Sequence, residues 1–532
     1  MRIKARLAPV GVAGYCAIAC ICASNLPACG GRAAHADAAP DRGAGSVYDS
    51  SAVDVIAPSD VTVADATAPD SADEDASPSF ADGATLADAT PDDALADAGS
   101  SFSAGWAWTY AGGDSINGTP PVLAAFGDGI VFAGASSNPA VVGVAGFPNA
   151  NVTAEPFVAR LEHDGGSMWA APLNGAGMPA GIAATPDGAI VVAAPWLPGV
   201  QKLDRGDFGT DIYLGKFAAD GTPTYEKDLA LPSSVGSFSG LSVNGAAVDS
   251  SGAIYVVGQI LQSNGTNAIA FVKVDASGDI AWVKAIPGDG PGYEMLAYAV
   301  VVLPGGDVVI GGDVNGHVDF GGGARSTLVA GTYETMAYLA RFTSDGQWVS
   351  DVTFGTGPAS TALALAATPT GDVLVGGWLA GTATFGALTL SADLGGATSY
   401  VADLQSTWSG RWGAFVSDGG LPLLIATPVT SAVAVDALGQ VHATGVYDGR
   451  RLLANYVLTS GEKLPDFVVD VGDAGSGATG TSLAVDSAQS VWVSGLFGER
   501  ATFGAITLDG TAPLYAGVPI STFIARFDPS GI

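Results

Sequence analysis

The chain has 532 residues, of which 48% are hydrophobic and 14% are charged, and its formal net charge is -32 at pH 7. This hydrophobic content is sufficient for a large core and excludes a wholly disordered chain. The acidic excess makes binding to nucleic acid or to an anionic membrane face unfavourable, because like charges repel. Neither is expected as a partner.

The first 29 residues predict an export signal. MRIKAR supplies three basic side chains, and the apolar stretch LAPVGVAGYCAIACICA that follows has the length of a signal-peptide core. A transmembrane anchor is not favoured, because Asn25 and Pro27 interrupt the stretch before about 20 apolar residues accumulate. All the cysteines lie here, so the remainder of the chain can form no disulfide or thiolate metal site. They are Cys16, Cys20, Cys22 and Cys29.

The tetrapeptide LPAC at 26–29 resembles a bacterial lipobox, whose cysteine is lipidated and becomes the mature N-terminus. The resemblance implies lipidation of Cys29 and anchoring to a membrane, although Pro27 replaces the usual small residue. Gly30 after the cysteine suggests the outer membrane by similarity to Gram-negative lipoproteins. The alternative is ordinary cleavage near AHA at 34–36, which would give a secreted or soluble periplasmic protein.

Residues 30–100 predict a disordered acidic linker. They are rich in Ala, Asp, Pro, Ser and Thr, and residues 31–100 contain 15 acidic and 2 basic side chains. Such a segment cannot bury a core, and repulsion between its charges extends it. A metal-binding or adhesive tail would need clustered carboxylates, whereas these are separated by alanines. The interpretation is a tether between the signal (1–29) and a folded domain (101–532).

One pattern repeats seven times between Phe126 and Ile532: a strand, an Asp/Gly turn, a Val/Ile-rich strand, a variable loop and a second hairpin. In the third copy, AVDSSGAIYVVG (247–258) and AFVKVDASGDIAWV (270–283) describe four consecutive strands. The short, β-branched, glycine-bounded runs exclude helical repeats. The sequence predicts an all-β fold, a seven-bladed β-propeller of four-stranded antiparallel blades. The first-turn positions are Gly129, Gly188, Gly252, Gly306, Gly371, Gly439 and Gln489.

The seventh copy ends at the turn of its second hairpin, FIARFDPSGI (523–532), and so lacks a fourth strand. The segment GWAWTYAGG (105–113) is predicted to supply that strand and to close the ring, which removes free sheet edges. Tryptophans in the fourth strands are expected at equivalent sites, packing between adjacent blades. They are Trp108, Trp169, Trp282, Trp348 and Trp412.

The loops divide between two rims of the disk. One rim is predicted to carry tight turns, whose Asp-x-x-Gly sequences are interpreted as hairpin turns and not as calcium loops or sialidase Asp-boxes. The other rim carries the long segments, where function on a rigid scaffold is expected. Within them, the FG inserts are either extra hairpins or binding loops. The segments are 135–156, 195–211, 287–296, 313–336, 378–398 and 496–520.

Residues for catalysis are few. The propeller contains His163 in a hairpin turn, His317 in a loop and His442 in a strand, in different blades and without metal-ligand spacing. No nucleophile elbow or phosphate-binding glycine loop is present, and GGDVVIGG lacks the helix that a nucleotide site requires. We therefore assign no catalytic, cofactor-binding or metal-binding residue, and no cofactor is expected.

VDSSGAIYVVG with FVKVDASGDIAWVKAI, together with the FG inserts DFGGGARSTL, TFGALTL and TFGAITLDG, resembles the bacterial SBBP-type β-propeller repeat over residues 101–532. The resemblance implies architecture and no particular activity. With the signal and spacer, the chain is similar to predicted myxobacterial surface lipoproteins. The spacing of Asp275, Gly278 and Trp282 is similar to the tryptophan-docking repeat of quinoprotein dehydrogenases and of the propeller lipoprotein that assists outer-membrane protein assembly, but the repeat lengths disagree.

The sequence thus predicts a non-enzymatic cell-envelope binding or scaffold lipoprotein, with an unknown envelope protein or glycan as partner and the long-loop rim as binding face. Its oligomeric state is not indicated. The alternative is a carbohydrate-active enzyme, a lyase or glycosidase, that uses the propeller funnel. Two carboxylates facing each other about 5 to 9 Å apart in the funnel would favour the alternative.

Overall fold

A computed structural model describes most of the predicted propeller domain, and all the described residues belong to one structural unit. The signal peptide with Cys29 and the acidic linker lie outside the described residues. No helix in the described part is long and apolar enough to cross a membrane. The described ranges are 103–110, 120–136, 155–197, 209–291, 293–329, 332–356, 360–392, 398–416, 429–446, 451–468, 478–498, 500–504, 506–509, 514–515, 518–519 and 521–528.

The first three blades are consecutive four-stranded antiparallel sheets. Blade 1 contains β2 (Val122–Phe126), β3 (Gly129–Ser136), β4 (Glu155–Leu161) and β5 (Ser167–Pro172). Blade 2 contains β6 (Gly181–Ala184), β7 (Ile190–Trp196), β8 (Asp211–Phe217) and β9 (Pro223–Leu229). A 3₁₀ turn at Ser233–Val235 leads to blade 3, which contains β10 (Phe238–Val248), β11 (Ile254–Gln262), β12 (Thr266–Val274) and β13 (Ile280–Pro291).

Blades 4 to 6 follow the same antiparallel order, with inserted strands between the second and third main strands of blades 4 and 5. Blade 4 contains β14 (Met295–Val302), β15 (Val308–Val314), β20 (Met336–Phe342) and β21 (Trp348–Phe354). Blade 5 contains β22 (Thr361–Ala367), β23 (Val373–Leu379), β26 (Thr398–Leu404) and β27 (Gly410–Phe415). Blade 6 contains β28 (Val429–Val435), β29 (Gln440–Val446), β30 (Arg451–Val457) and β31 (Lys463–Val468).

Blade 7 joins the two ends of the domain. It contains β32 (Ala478–Val485), β33 (Val491–Phe497) and β38 (Ser521–Asp528), with β1 (Ser103–Tyr110) as the outermost strand. β1 pairs antiparallel with β38 from Ser103↔Asp528 to Tyr110↔Thr522. The predicted closure by the N-terminal segment is therefore confirmed.

The first strands of the seven blades contact one another in a closed ring, from β2 through β6, β10, β14, β22 and β28 to β32 and back to β2. Each of the seven hydrophobic clusters draws its side chains from two adjacent blades. The second strands are consequently covered on both faces, and every residue of β15 and β23 is buried. This arrangement explains their continuous apolar runs. The predicted seven-bladed propeller is confirmed.

Aspartate side chains hold the tight turns. Oδ1 of Asp249 accepts hydrogen bonds from the backbone N–H groups of Ser251 and Ala253, at 2.8 and 3.0 Å. Its Oδ2 accepts one from the Tyr255 hydroxyl at 3.1 Å. In blade 7, Oδ1 of Asp486 accepts the Ser490 N–H and its Oδ2 accepts the indole N–H of Trp492. The interpretation of these aspartates as turn residues is confirmed.

The turn positions were predicted correctly except in blade 1. Gly252 has φ +83°, and Gln489 occupies the same left-handed region at +67°. In blade 1 the left-handed residue is Gly127 and not Gly129, because Phe126 pairs directly with Gly129 across a two-residue turn.

Three of the predicted tryptophans pack between blades. The indole N–H of Trp169 donates to the carbonyl of Ala219 in the next blade at 2.9 Å, and Trp412 donates to Leu458 O at 2.6 Å. Trp282 makes the corresponding, longer contact of 3.4 Å with Ser344 O. Each ring lies beside a turn of the following blade, so the fourth strands of blades 1, 3 and 5 fasten adjacent blades together.

The prediction that the tryptophans occupy equivalent positions was wrong for Trp348 and Trp108. Trp169 lies opposite Arg160 in the strand pairing, but Trp348 lies opposite Phe342, two residues away from the equivalent position. Its indole donates to Asp351 within its own blade. In β1 the residue opposite Arg526 is Trp106, so Trp106 and not Trp108 holds the equivalent place.

The FG inserts form extra hairpins, which leaves open whether they also bind a ligand. Their phenylalanines pack on aromatic residues of their own blades, with ring centroids 4.8 Å apart for Phe320 and Tyr338 and 4.9 Å apart for Phe503 and Phe523. Burial of these rings fixes the hairpins. The paired strands are β16 (His317–Val318) with β17 (Arg325–Ser326), β18 (Leu328–Val329) with β19 (Thr332–Tyr333), β24 (Thr382–Phe385) with β25 (Leu388–Ser391), β34 (Arg500–Phe503) with β35 (Ile506–Asp509), and β36 (Leu514–Tyr515) with β37 (Val518–Pro519).

Candidate functional site

The long-loop rim brings together two segments that the sequence marked as candidates, 287–296 and 313–336. Asp289 lies near the end of β13 in blade 3, and His317 begins the insert of blade 4. Strands β13 and β16 contact each other at this point. We call the group formed by Asp289, Tyr293, His317, Ser326 and Tyr333 the rim site.

An aspartate–histidine pair forms the centre of the rim site. Nδ1 of His317 lies 2.5 Å from Oδ2 of Asp289, and the same oxygen accepts the backbone N–H of His317 at 2.8 Å. The carboxylate therefore places the ring proton on Nδ1. Nε2 has no hydrogen-bond partner among the described residues and would be an acceptor in a neutral ring, and the His317 side chain is 43% exposed.

The backbone on either side of the pair is closely fixed. Gly316 has φ +96°, and a Cβ at this position would lie 2.9 Å from the Tyr293 ring and 3.1 Å from Asp289 Oδ2. Its N–H donates to Oγ1 of Thr327 at 2.9 Å, and the Thr327 N–H donates to its carbonyl at 3.0 Å. Asn267 donates to the carbonyl of Tyr293 at 3.0 Å. Glycine is required here both by the conformation and by the close approach.

Two tyrosines flank the pair. Their rings meet edge to face, with centroids 5.6 Å apart for Tyr293 and Tyr333. The Tyr333 ring also lies 5.3 Å from the His317 imidazole, and its hydroxyl is 3.5 Å from Nδ1. Both tyrosines are half-buried, so each ring is supported by protein and partly open to solvent.

Ser326 completes the rim site. It is the direct antiparallel partner of His317, so the two side chains lie on the same face of the small hairpin. Ser326 is exposed, and its Oγ accepts the backbone N–H of Leu328 at 3.3 Å. Serine, histidine and aspartate thus lie side by side, without a hydrogen bond between Ser326 Oγ and His317 Nε2.

Two acidic residues lie buried at the same end of blade 4. Asp313 is fully buried and Glu294 is 9% exposed. Burial, and then the charge of Glu294, raise the pKa of Asp313 well above its usual range, while the nearby Tyr298 hydroxyl lowers it. Within the described structure, neither Asp313 oxygen has a hydrogen bond of normal geometry.

The other histidines lie far from the rim site along the chain. His163 is in the hairpin turn of blade 1, 3.9 Å from Asp128, with a 56% exposed side chain. His442 is fully buried in β29, where Nδ1 lies 2.8 Å from Asn455 Oδ1 and Nε2 lies 3.4 Å from Asp436 Oδ2. His442 is therefore a core residue. No group of three or more His, Cys, Asp or Glu side chains within the described ranges could hold a metal ion.

In blade 5, an acidic residue near the tight-turn rim replaces the basic residue of other blades. Asp403 occupies the place that Arg160, Lys273 and Arg341 hold in other blades, opposite the fourth strand. Arg411 on that strand contacts Asp403 at 3.2 Å and also pairs with Asp372. Burial, and then the charge of Asp372, raise the pKa of Asp403 to about 6, with Arg411 opposing the shift.

The sequence predicted the long-loop rim as the binding face but did not identify the residues of the rim site. Asp289 and His317 are 28 positions apart and belong to different blades, so no motif could join them. The available signals were that both lie in long-loop segments and that Gly316 immediately precedes His317.

Comparisons with known proteins concern the fold. No protein-family model and no curated protein sequence matches the chain, so the SBBP-type resemblance stays a prediction. The chain is similar to the structure of a puromycin hydrolase mutant complexed with PGG, with 16% identity and a TM-score of 0.44, over 77% of this chain and 57% of that chain. It thus spans little more than half of that hydrolase.

Two further solved structures are similar to it. The WD40 domain of Neurospora crassa Pan2 has 9% identity and a TM-score of 0.41, over 80% of this chain and 95% of that chain. PQQ-bound aldose sugar dehydrogenase from Streptomyces coelicolor has 13% identity and a TM-score of 0.33, over 67% and 95%. At these identities no activity is transferred. The strand order of the chain itself shows a seven-bladed β-propeller closed by the N-terminal strand.

Proposed function

We propose that this protein is a non-enzymatic binding or scaffold protein of the cell envelope whose propeller engages its partner through the long-loop rim. The observation that carries the proposal is the rim site. A hydrogen-bonding histidine and two half-buried tyrosines are held there by fixed backbone on a rigid scaffold, and recognition groups on proteins commonly have such placement.

The proposed location depends on the N-terminal sequence. Lipidation of Cys29 would anchor the chain, and the acidic residues of 31–100 would extend between the membrane and the propeller. In this plan the tether would hold the propeller away from the membrane. An exported protein with such an anchor fits a partner that is itself part of the envelope, either a protein or a glycan.

A ligand screen with the full-length protein tests the binding proposal. The Tm of the wild type and of His317→Ala is measured in the presence of glycans, divalent cations or envelope extract. The matched control is His163→Ala, which removes an exposed histidine beside an aspartate on the opposite rim. We expect a ligand-induced rise in Tm that His317→Ala loses and His163→Ala keeps. A shift that both variants keep would place binding elsewhere.

One observation favours the enzyme alternative. Asp289 orients His317 as it would orient a general base, and Ser326 lies directly across the hairpin. A serine beside a histidine–aspartate pair suits hydrolysis of an ester on a carbohydrate, whereas a glycosidase needs two carboxylates. An esterase using this group would lose turnover by a factor of about 100 or more in His317→Ala and Ser326→Ala. Product formation from a panel of esterified and plain polysaccharides measures this. Turnover with that sensitivity would replace the binding proposal.

A further inference from the structure

We infer that the rim site binds uncharged saccharides. This inference rests on the proposed function of the long-loop rim as a binding face and specifies the chemical class of ligand. It follows from the hydrogen-bonding groups, the aromatic surface and the charges of the site, taken in turn.

The hydrogen-bonding groups suit hydroxyls. Because Asp289 fixes the ring proton on Nδ1, His317 Nε2 can only accept a hydrogen bond while the imidazole is neutral. Ser326 and the two tyrosines add hydroxyl groups that both donate and accept. The partner that matches an acceptor surrounded by such groups is itself a hydroxyl, and saccharides carry several of these on neighbouring atoms.

The aromatic surface suits a sugar ring. Tyr293 and Tyr333 meet edge to face at 89°, so each ring supports the other and keeps part of its surface open. The C–H groups of a pyranose form an apolar face that can pack on such a ring, while the sugar hydroxyls at its edge reach His317. Rigid aromatic rings with polar neighbours make contact at a low cost in conformational entropy.

The charge of the domain disfavours anionic ligands. Residues 101–532 contain 37 acidic and 15 basic side chains, so acidic polysaccharides and phosphorylated glycans would be repelled. A metal ion would need several carboxylate or imidazole ligands, and no group of three or more such side chains within the described ranges could hold one. An uncharged ligand meets neither obstacle.

The experiment is calorimetric titration of the full-length protein with uncharged gluco-, manno- and galacto-oligosaccharides, and with oligogalacturonate as the anionic comparison. We expect binding of at least one uncharged series and none of oligogalacturonate. Affinity should fall tenfold or more in His317→Ala and Tyr333→Ala, while His163→Ala binds like the wild type. Equal unfolding midpoints for the variants show that the fold is intact.

A second variant tests the role of the acceptor itself. In Asp289→Ala no carboxylate remains to accept the ring N–H, so the proton of the neutral ring is no longer held on Nδ1 and Nε2 can become a donor. We expect weaker saccharide binding together with changed ¹⁵N shifts of the His317 ring. Unchanged binding with a changed tautomer would overturn the proposed recognition by Nε2.

The outcomes separate the inference from the proposed function. If no uncharged oligosaccharide binds, but another probe such as calcium or a polylysine peptide raises Tm in a manner that His317→Ala removes, the saccharide inference fails and the rim remains the binding face. If an oligosaccharide binds equally well to His317→Ala, Tyr333→Ala and His163→Ala, both the inference and the rim site are wrong.

Discussion

The indole N–H of Trp412 in blade 5 donates a 2.6 Å hydrogen bond to the carbonyl of Leu458 in blade 6. The ring is 7% exposed, and a Cβ on Gly461 would lie 2.6 Å from it. This side chain thus links two sheets that share no strand. Corresponding bonds from Trp169 and Trp282 show that fastening by the fourth strand recurs around the ring.

Trp412→Phe is expected to destabilise the protein by about 1–2 kcal/mol, because it leaves the Leu458 carbonyl without its donor and removes part of the buried ring. Trp412→Ala should cost about 3–5 kcal/mol. Urea unfolding measures both. Met168→Ala, at a 47% exposed position, is the control and should change stability by less than about 0.5 kcal/mol. An equal loss in the control would contradict the role of the indole.

Removal of the closing strand should be far more harmful than removal of linker. Deleting residues 101–113 takes away β1 and leaves β38 as an open edge. Deleting residues 61–73 removes the same length from the acidic linker. We expect a large fall in Tm and increased aggregation for the first deletion only. Equal melting temperatures for the two proteins would count against closure by this strand.

Asp403 should make stability fall as pH rises. Its pKa in the folded protein is raised to about 6 from 3.8, so between these values the unfolded chain has released a proton that the folded protein still holds. Stability is then greatest below this window and is lost as pH rises through it, by at most about 3 kcal/mol. Urea unfolding from pH 4 to 7 should show a smaller decline for Asp403→Asn. Identical slopes for variant and wild type would refute this.

The fully buried Asp313 should also make stability fall as pH rises. Burial raises its pKa well above the usual range, so as pH rises the unfolded chain releases a proton that folded Asp313 still holds, and stability falls. Asp313→Asn keeps the shape and cannot ionise. We expect the variant to gain stability relative to the wild type on going from pH 5 to pH 8, measured by unfolding midpoints. A constant difference between the two proteins would show that folded Asp313 is already ionised at pH 5, and would contradict the raised pKa.

Lipidation of Cys29 is tested by fractionation. Cys29→Ala should release the protein from the membrane fraction as a soluble, folded product, because the proposed anchor is lost. Cys22→Ala, inside the predicted signal core, is the control and should stay in the membrane fraction. Retention of the Cys29→Ala protein would show that another feature holds the chain there.

Much of the fold could be predicted because its signals are local. A turn aspartate such as Asp249 accepts hydrogen bonds from N–H groups two and four residues away, so a few adjacent residues determine each turn. The missing strand of the seventh copy was visible for the same reason. The error at Trp348 also had a local cause: this residue follows Gly346 by two positions, whereas Trp282 follows Gly278 by four.

The sequence by itself determined the number of blades, their four-stranded pattern, the closing segment and the rim with the long loops, because strand period and turn chemistry depend on near neighbours. Only the tertiary structure decided that Asp289 meets His317, that Asp313 is buried beside Glu294, and that Trp412 reaches the next blade. Those contacts join segments from different strands or blades, and their partners are set by the closure of the ring, which no local pattern specifies.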